Sequence, residues 1–152
     1  MSTQHFKGFS IVQGDVHINV GLSRFGNQYE KAQYALDSAV MNSMIPFMPK
    51  QMGNFIQRTE MISASMAGTG IVCAAAPPSG RFLYEDVVMV DPETGSPWAR
   101  KGVRKVVTDR ALDYFRGENP DVTDHWFDAA KKEDLKDWVS LVKRVAGGGA
   151  DG

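Results

Sequence analysis

Few side chains in this sequence have the character of a nucleophile or a base, and they are scattered. Cys73 is the one thiol, His5, His17 and His125 are the three imidazoles, and Ser79 supplies a hydroxyl in a turn-forming stretch. A thiol or hydroxyl activated by an imidazole would support acyl transfer, which needs the base within hydrogen-bond reach of the nucleophile. Cys73, however, lies in Ile71-Val72-Cys73-Ala74, an apolar run in which a thiol commonly serves as a small buried hydrophobe. The three histidines lack the spacing of zinc ligands. Glu133, Asp134 and Asp137 would provide carboxylates for acid–base work, but Lys131, Lys132 and Lys136 interleave with them. That is the pattern of a solvated helix face with ion pairs three and four residues apart. Gly68-Thr69-Gly70 lacks the Lys-Ser/Thr that completes a phosphate loop, and its permissive backbone suits a turn. The expectation is a chain that is not an enzyme and uses no cofactor and no metal.

A second kind of chemistry is electrostatic. Arg100, Lys101, Arg104, Lys105 and Arg110 stand against only Asp109 between positions 100 and 110. Such a segment can meet phosphates or an acidic patch on a protein partner, and a solvated loop has the same composition. Trp98 stands just before it, placed to stack on a base if the partner is a nucleic acid. The whole chain gives no broader basic signal: 152 residues carry 17 Lys+Arg against 18 Asp+Glu, a formal charge of -1, with a pI near 6.3. Any contact with a polyanion must therefore be local. A chain of this length buries about two thirds of its unfolded surface, so it needs no disulfide or structural metal to fold, and one cysteine permits no internal disulfide. The N-terminal residues have no signal-peptide run, and nothing later approaches the ~20 apolar residues of a membrane span. No membrane partner is expected.

These groups must be positioned by a small set of elements. Val16, Ile18 and Val20 alternate with His17 and Asn19, which predicts an extended arm over 9–20 with one face buried and a turn at Gln13-Gly14-Asp15. Phe25, Tyr29, Ala32, Leu36, Val40 and Met44 recur at steps of four, three, four, four and four, an amphipathic helix over 22–45 with Ser23 or Asn27 as cap. Pro46 and Pro49 stop it. Residues 55–65 and 70–75 read as two extended segments of a hairpin around the Gly68-Thr69-Gly70 turn. Residues 81–84 read as a short helical turn or as a lead into an extended run over 87–90, and Asp91-Pro92-Glu93-Thr94-Gly95-Ser96-Pro97 as an exposed loop. A second long helix, capped by Thr123 or Asp124, presents Trp126, Phe127, Ala130, Trp138, Leu141, Val142 and Val145 and stops at Gly147-Gly148-Gly149. Trp126 and Trp138 are assigned to the core. Six of the eight methionines, Met41, Met44, Met48, Met52, Met61 and Met66, crowd the first half, where flexible thioethers suit either core filling or a surface that repacks on a partner. The fold class is α+β: two helices packed on a small, mostly antiparallel sheet, with an arm at 1–21, a main unit at 22–146 and a glycine-rich tail at 147–152.

An ordered series of motifs within this frame resembles a known family. Ala32-Gln33 with Leu36, Pro46-Phe47-Met48-Pro49 and Gly53-Asn54-Phe55 are followed by Gly70-Ile71-Val72 and Arg81-Phe82-Leu83-Tyr84-Glu85. Then come Val88-Met89-Val90-Asp91-Pro92-Glu93-Thr94-Gly95-Ser96-Pro97-Trp98-Ala99, Asn119-Pro120, Thr123-Asp124-His125-Trp126-Phe127, Ala130-Lys131-Lys132 and Trp138. Together they are similar to the minor capsid proteins of tailed bacteriophages, over about residues 25–143. The chain departs from that pattern at Lys50-Gln51-Met52 and Pro78-Ser79-Gly80. The resemblance implies a structural neck protein of the virion, of the head–tail joining or tail-completion type, assembled in the host cytoplasm. Its implied partners are copies of itself in a ring, sixfold in preference to twelvefold, the neighbouring connector or stopper and tail-terminator proteins, and DNA in the lumen. The interface or lumen candidates are the arm, the corner with Pro46, Phe47, Pro49 and Phe55, the loop with Trp98, Arg100, Lys101, Arg104, Lys105 and Arg110, and the tail. The alternative is a small nucleic-acid-binding module that uses the basic segment 100–110.

Overall fold

The computed structural model describes residues 9–21, 23–50 and 54–147. Beyond Gly147, the glycine-rich tail lies outside them, as do Met52 and Gly53. The chain runs β1 (Phe9–Gln13), β2 (Val16–Val20), α1 (Ser23–Met44), a 3-10 turn (Ile45–Phe47), α2 (Phe55–Met66), α3 (Gly80–Tyr84), β3 (Met89–Val90), β4 (Val106–Val107) and α4 (Trp126–Ala146). The class is α+β, with β1–β2 and β3–β4 forming separate antiparallel two-stranded sheets.

The core lies where α1 meets α4. In α4, Trp126, Ala130 and Trp138 are buried, and their steps of four and eight residues keep them on one helix face. They pack with Val40, Met41, Met44 and Met48. Trp126 is fully buried and meets Phe55 and Tyr84 edge-on at centroid distances of 5.9 and 4.8 Å. Its indole N–H donates to the Ala74 carbonyl at 2.8 Å, so burying the ring leaves no polar atom unpaired. The Trp138 N–H donates to Ser43 Oγ at 3.1 Å. Lys143 and Arg144 occupy the last turn of α4, where cations complement the carbonyl end of the helix dipole. Three core methionines sit in the methionine-rich first half, whereas Met61 points outward.

Three expectations are corrected. Residues 55–65 are not a strand: they form most of α2, and no hairpin joins them to 70–75. The helical period is masked because the two buried positions of α2 are Thr59 and Ser63, polar residues that a hydropathy pattern counts as exposed. Each hydroxyl is satisfied in the interior. Thr59 Oγ1 donates to the Phe55 carbonyl at 2.9 Å and accepts the Ala76 N–H at 3.2 Å. Ser63 Oγ donates to the Cys73 carbonyl at 3.0 Å and accepts the Cys73 N–H at 3.1 Å. Ser63 thus serves Cys73 as a neighbouring strand would, which explains the extended look of 71–74.

The arm is a β-hairpin with Ile11 opposite Ile18 and Gln13 opposite Val16, but it buries no face. Every side chain from Ser10 to Asn19 is exposed. Finally, neither Thr123 nor Asp124 caps α4. His125 takes the cap position in a left-handed conformation (φ 42°) and makes no side-chain cap bond. Thr123 Oγ1 donates instead to Asp124 Oδ1 at 3.0 Å, and the other Asp124 oxygen faces His125 Nδ1 at 2.9 Å.

Candidate functional site

The basic segment belongs to a long excursion closed at its base by a short ladder. Met89 pairs with Val107 and Val90 with Val106. The ladder is extended by Val88 N–H to the Arg110 carbonyl at 3.1 Å and Thr108 N–H to the Val88 carbonyl at 2.9 Å. Asp91, fully buried, organises the loop that follows. Its Oδ1 accepts the N–H groups of Glu93 and Thr94 at 2.9 and 3.3 Å, and its Oδ2 accepts the N–H of Arg100 at 3.3 Å. The Arg100 guanidinium completes the set, with Nε at 2.9 Å and Nη2 at 3.2 Å. A carboxylate with this many donors prefers to stay ionised. The Arg100 side chain first, and the Glu93 amide next, hold the Asp91 carboxyl far below the usual range, and Arg100 is raised in turn. Gly95 closes the turn at φ +66°, where a β-carbon would be strained, and its N–H donates to the Asp91 carbonyl at 2.9 Å.

This arrangement divides the five cations. Arg100 is consumed internally, paired with Asp91 and also with Glu93 at 2.8 Å. Its charge therefore belongs to the fold of the loop. Lys101, Arg104 and Arg110 are exposed and Lys105 is half-buried; among the described residues none of the four enters an ion pair. Trp98 is 83% exposed, and its backbone N–H donates to Ser96 Oγ at 3.1 Å. The outcome is a held loop that presents an aromatic ring and cations while its own acidic side chains are turned to internal use.

The other candidates separate as well. Phe47 and Phe55 are half-buried and pack against the core. Pro46 is exposed and Pro49 half-buried. Asn119 fastens this corner from within, its Nδ2 donating to the carbonyls of Ile45 and Met48 at 2.9 and 2.8 Å. The Ile45 carbonyl also accepts the Met48 N–H at 3.1 Å, so Asn119 adds a second donor there and reaches the Met48 carbonyl just past the turn, where helical partners run out.

Of the residues in the nucleophile readings, His5 lies outside the described residues. Cys73 is half-buried. Both nitrogens of His125 face carboxylates, Asp124 at 2.9 Å and Glu85 at 3.4 Å. The Asp124 contact leads in raising the His125 pKa above its ordinary value and in lowering that of Asp124. Among the described residues, no group of three or more His, Cys, Asp and Glu side chains is placed to hold a metal ion. No helix among them is long and apolar enough to cross a membrane.

One feature has no simple sequence signal. A groove of about 510 Å³ lies between α1, the segment 70–74 and the start of α4, with Leu36, Val40, Met44, Val72, Ala74 and Phe127 along its apolar walls. At its edge Asp37 is buried and accepts Gln33 Nε2 at 2.7 Å, Gly68 N–H at 2.8 Å and Gly70 N–H at 3.0 Å. The loop after α2 is thereby tied to α1 at the edge of the groove. The i, i+4 spacing of Gln33 and Asp37 was the available hint, but their target thirty residues later was not readable. Compared with protein families, with curated proteins and with solved structures, the chain shows no match.

Proposed function

We propose that this chain is a structural subunit of the neck of a tailed-bacteriophage virion, self-associating into a ring, sixfold by preference, that completes the tail end and joins it to the DNA-filled head. It is built in the host cytoplasm, and its partners are its own copies, the connector or stopper on one side and the tail terminator on the other. The observation that carries self-association is the β1–β2 hairpin, whose side chains from Ser10 to Asn19 are all exposed although an isolated two-stranded hairpin is marginal in water. The assignment to a neck rests on the resemblance of the ordered motifs to those of minor capsid proteins. The subunit needs no chemistry for this role. Its Trp98 loop supplies a docking lip, with Lys101, Arg104 and Lys105 facing an acidic rim of the next ring. Particles assembled without this chain are expected to accumulate as separate filled heads and tails; joined, infectious particles would overturn the proposal. Replacing Lys101, Arg104 and Lys105 with Gln is expected to leave the same unjoined parts while the subunit folds normally. Arg100 is left intact in that variant because it holds the loop.

A second reading is favoured by Trp98, 83% exposed beside unpaired cations: the loop binds nucleic acid. It requires binding of the purified chain to single-stranded DNA with a log–log salt slope on the order of -3 for four cations. Loss of that binding on substituting Arg104 and Lys105 would decide for this reading.

A further inference from the structure

The chain carries two unsatisfied apolar surfaces of opposite shape. In the β1–β2 ladder, directly opposed residues share a face. Ile11, Ile18 and Val16, with Gln13, therefore form one side, and Ser10, Asn19, Val12 and His17 the other. The first side has no charged group, yet its three aliphatic side chains are 50, 48 and 59% exposed. A further exposed apolar side chain opens α1, where Phe25 is 50% exposed although it heads the same stripe whose later members, Ala32, Val40 and Met44, are buried. The concave counterpart is the groove beside α1. The single charged group in its lining, the Asp37 carboxylate, is buried and already bonded to three donors, and the remaining walls are largely apolar.

We infer that the Ile11–Val16–Ile18 face of one copy seats in the Leu36–Val40–Val72 groove of the next copy. This contact deepens the reading of the chain as a ring subunit and rests on it. Charge selects the occupant: a groove whose one charged group is the inward-bonded Asp37 carboxylate accepts an uncharged apolar face, while a nucleic acid or an acidic rim would seek the cations of the Trp98 loop, which neither surface includes. Reach places the contact between copies. Two residues separate β2 from α1, and a five-residue strand extends about 17 Å. The groove runs along α1 from Gln33 to Met44, about 15 to 32 Å from the helix start at 1.5 Å per residue. A hairpin folding back on its own helix would reach about 24 Å with the two linking residues included and leave the far half of the groove empty. Area sets the mode of assembly. Two strands about 4.8 Å apart and 17 Å long offer a face of roughly 200 Å² in projection, well short of the ~800 Å² per partner of a stable pair. The contact is head-to-tail, each subunit giving one arm and receiving one, and it gains permanence when the ring closes.

Disulfide trapping in full-length Cys73→Ser protein tests this. A mixture of the Ile18→Cys and Leu36→Cys proteins is expected to form a covalent heterodimer under mild oxidation. The chain bearing both substitutions is expected to give a ladder of linked oligomers. A control pair, Asn19→Cys with Leu36→Cys, places the thiol on the opposite hairpin face and should react on the order of tenfold more slowly, because only a seated arm raises the effective concentration. Circular dichroism on each variant confirms that it is folded. Cross-linking confined to single chains, or a control as fast as the test pair, overturns the inference. If subunits self-associate by light scattering but Ile18 never traps Leu36, this contact fails while the ring reading stands. If they neither trap nor associate at any concentration, both fail.

Discussion

The α1–α4 core and the N-terminal hairpin draw on the same aliphatic and aromatic vocabulary and use it in opposite ways. In the core, Trp126 is enclosed by Phe55, Tyr84 and methionines, and its one polar atom is paired. In the hairpin, Ile11 and Ile18 are paired only across their own ladder and stay half-exposed. Stability resides where side chains meet residues distant in the chain. The hairpin offers area that contributes to a contact still to be made.

This contrast is broken or sharpened most strongly at Trp126. Replacing it with Ala removes the largest buried side chain, and unfolding in denaturant should show a loss of about 3–5 kcal/mol. Ser63→Ala comes next. It strips both backbone groups of Cys73 of their partner and is expected to cost about 1–3 kcal/mol by the same measurement. Ser65→Ala, on the exposed side of the same helix, should stay within about 0.5 kcal/mol.

A smaller effect is expected at the seam between α3 and α4, where His125 lies between Asp124 and Glu85. Because the folded pKa of His125 is raised above 6.5, its contribution is complete below pH 6.5 and fades as pH rises through the folded value. Asp124, lowered from 3.8, contributes above pH 3.8 and fades as pH falls through its lowered value. Both side chains are almost half exposed, so the gain is held below about 1 kcal/mol by solvent screening. The melting temperature of the native chain relative to His125→Gln should therefore be highest between about pH 4 and 6.5 and the difference should shrink above neutrality. The smallest change is expected in the hairpin. Ile11→Ser, Val16→Ser and Ile18→Ser should each alter the stability of the isolated subunit by no more than about 0.5 kcal/mol. A loss comparable to that at Trp126 would mean that the hairpin packs on its own chain, and the contrast would disappear.

Legibility followed the same division. The course of α4 was readable from Trp126, Ala130 and Trp138 at helical spacing and from the glycines after Ala146, because a helix that buries plain apolar side chains displays its period. α2 was not readable, since its buried positions are hydroxyls satisfied by Cys73 and Ala76, which lie beyond the helix. The turn formers from Asp91 to Pro97 announced a loop correctly, but the fate of Arg100 depended on how the chain returns to Asp91. Alternation in the arm was visible, and its burial was inferred from a rule that assumes a neighbouring layer; this chain alone provides none.

Composition and local spacing by themselves determined the α+β class, the position and end of α4, the tryptophan core and the turn at 91–97, because each depends on neighbours a few residues apart. Tertiary structure alone decided that Thr59 and Ser63 face inward, that Asp91 removes Arg100 from the basic set, that Asp37 ties the loop after α2 to α1 and that the hairpin stands uncovered. Those outcomes depend on which polar groups find partners ten, seventeen or thirty-one residues away, and a buried polar atom is tolerated only where folding brings such a partner to it.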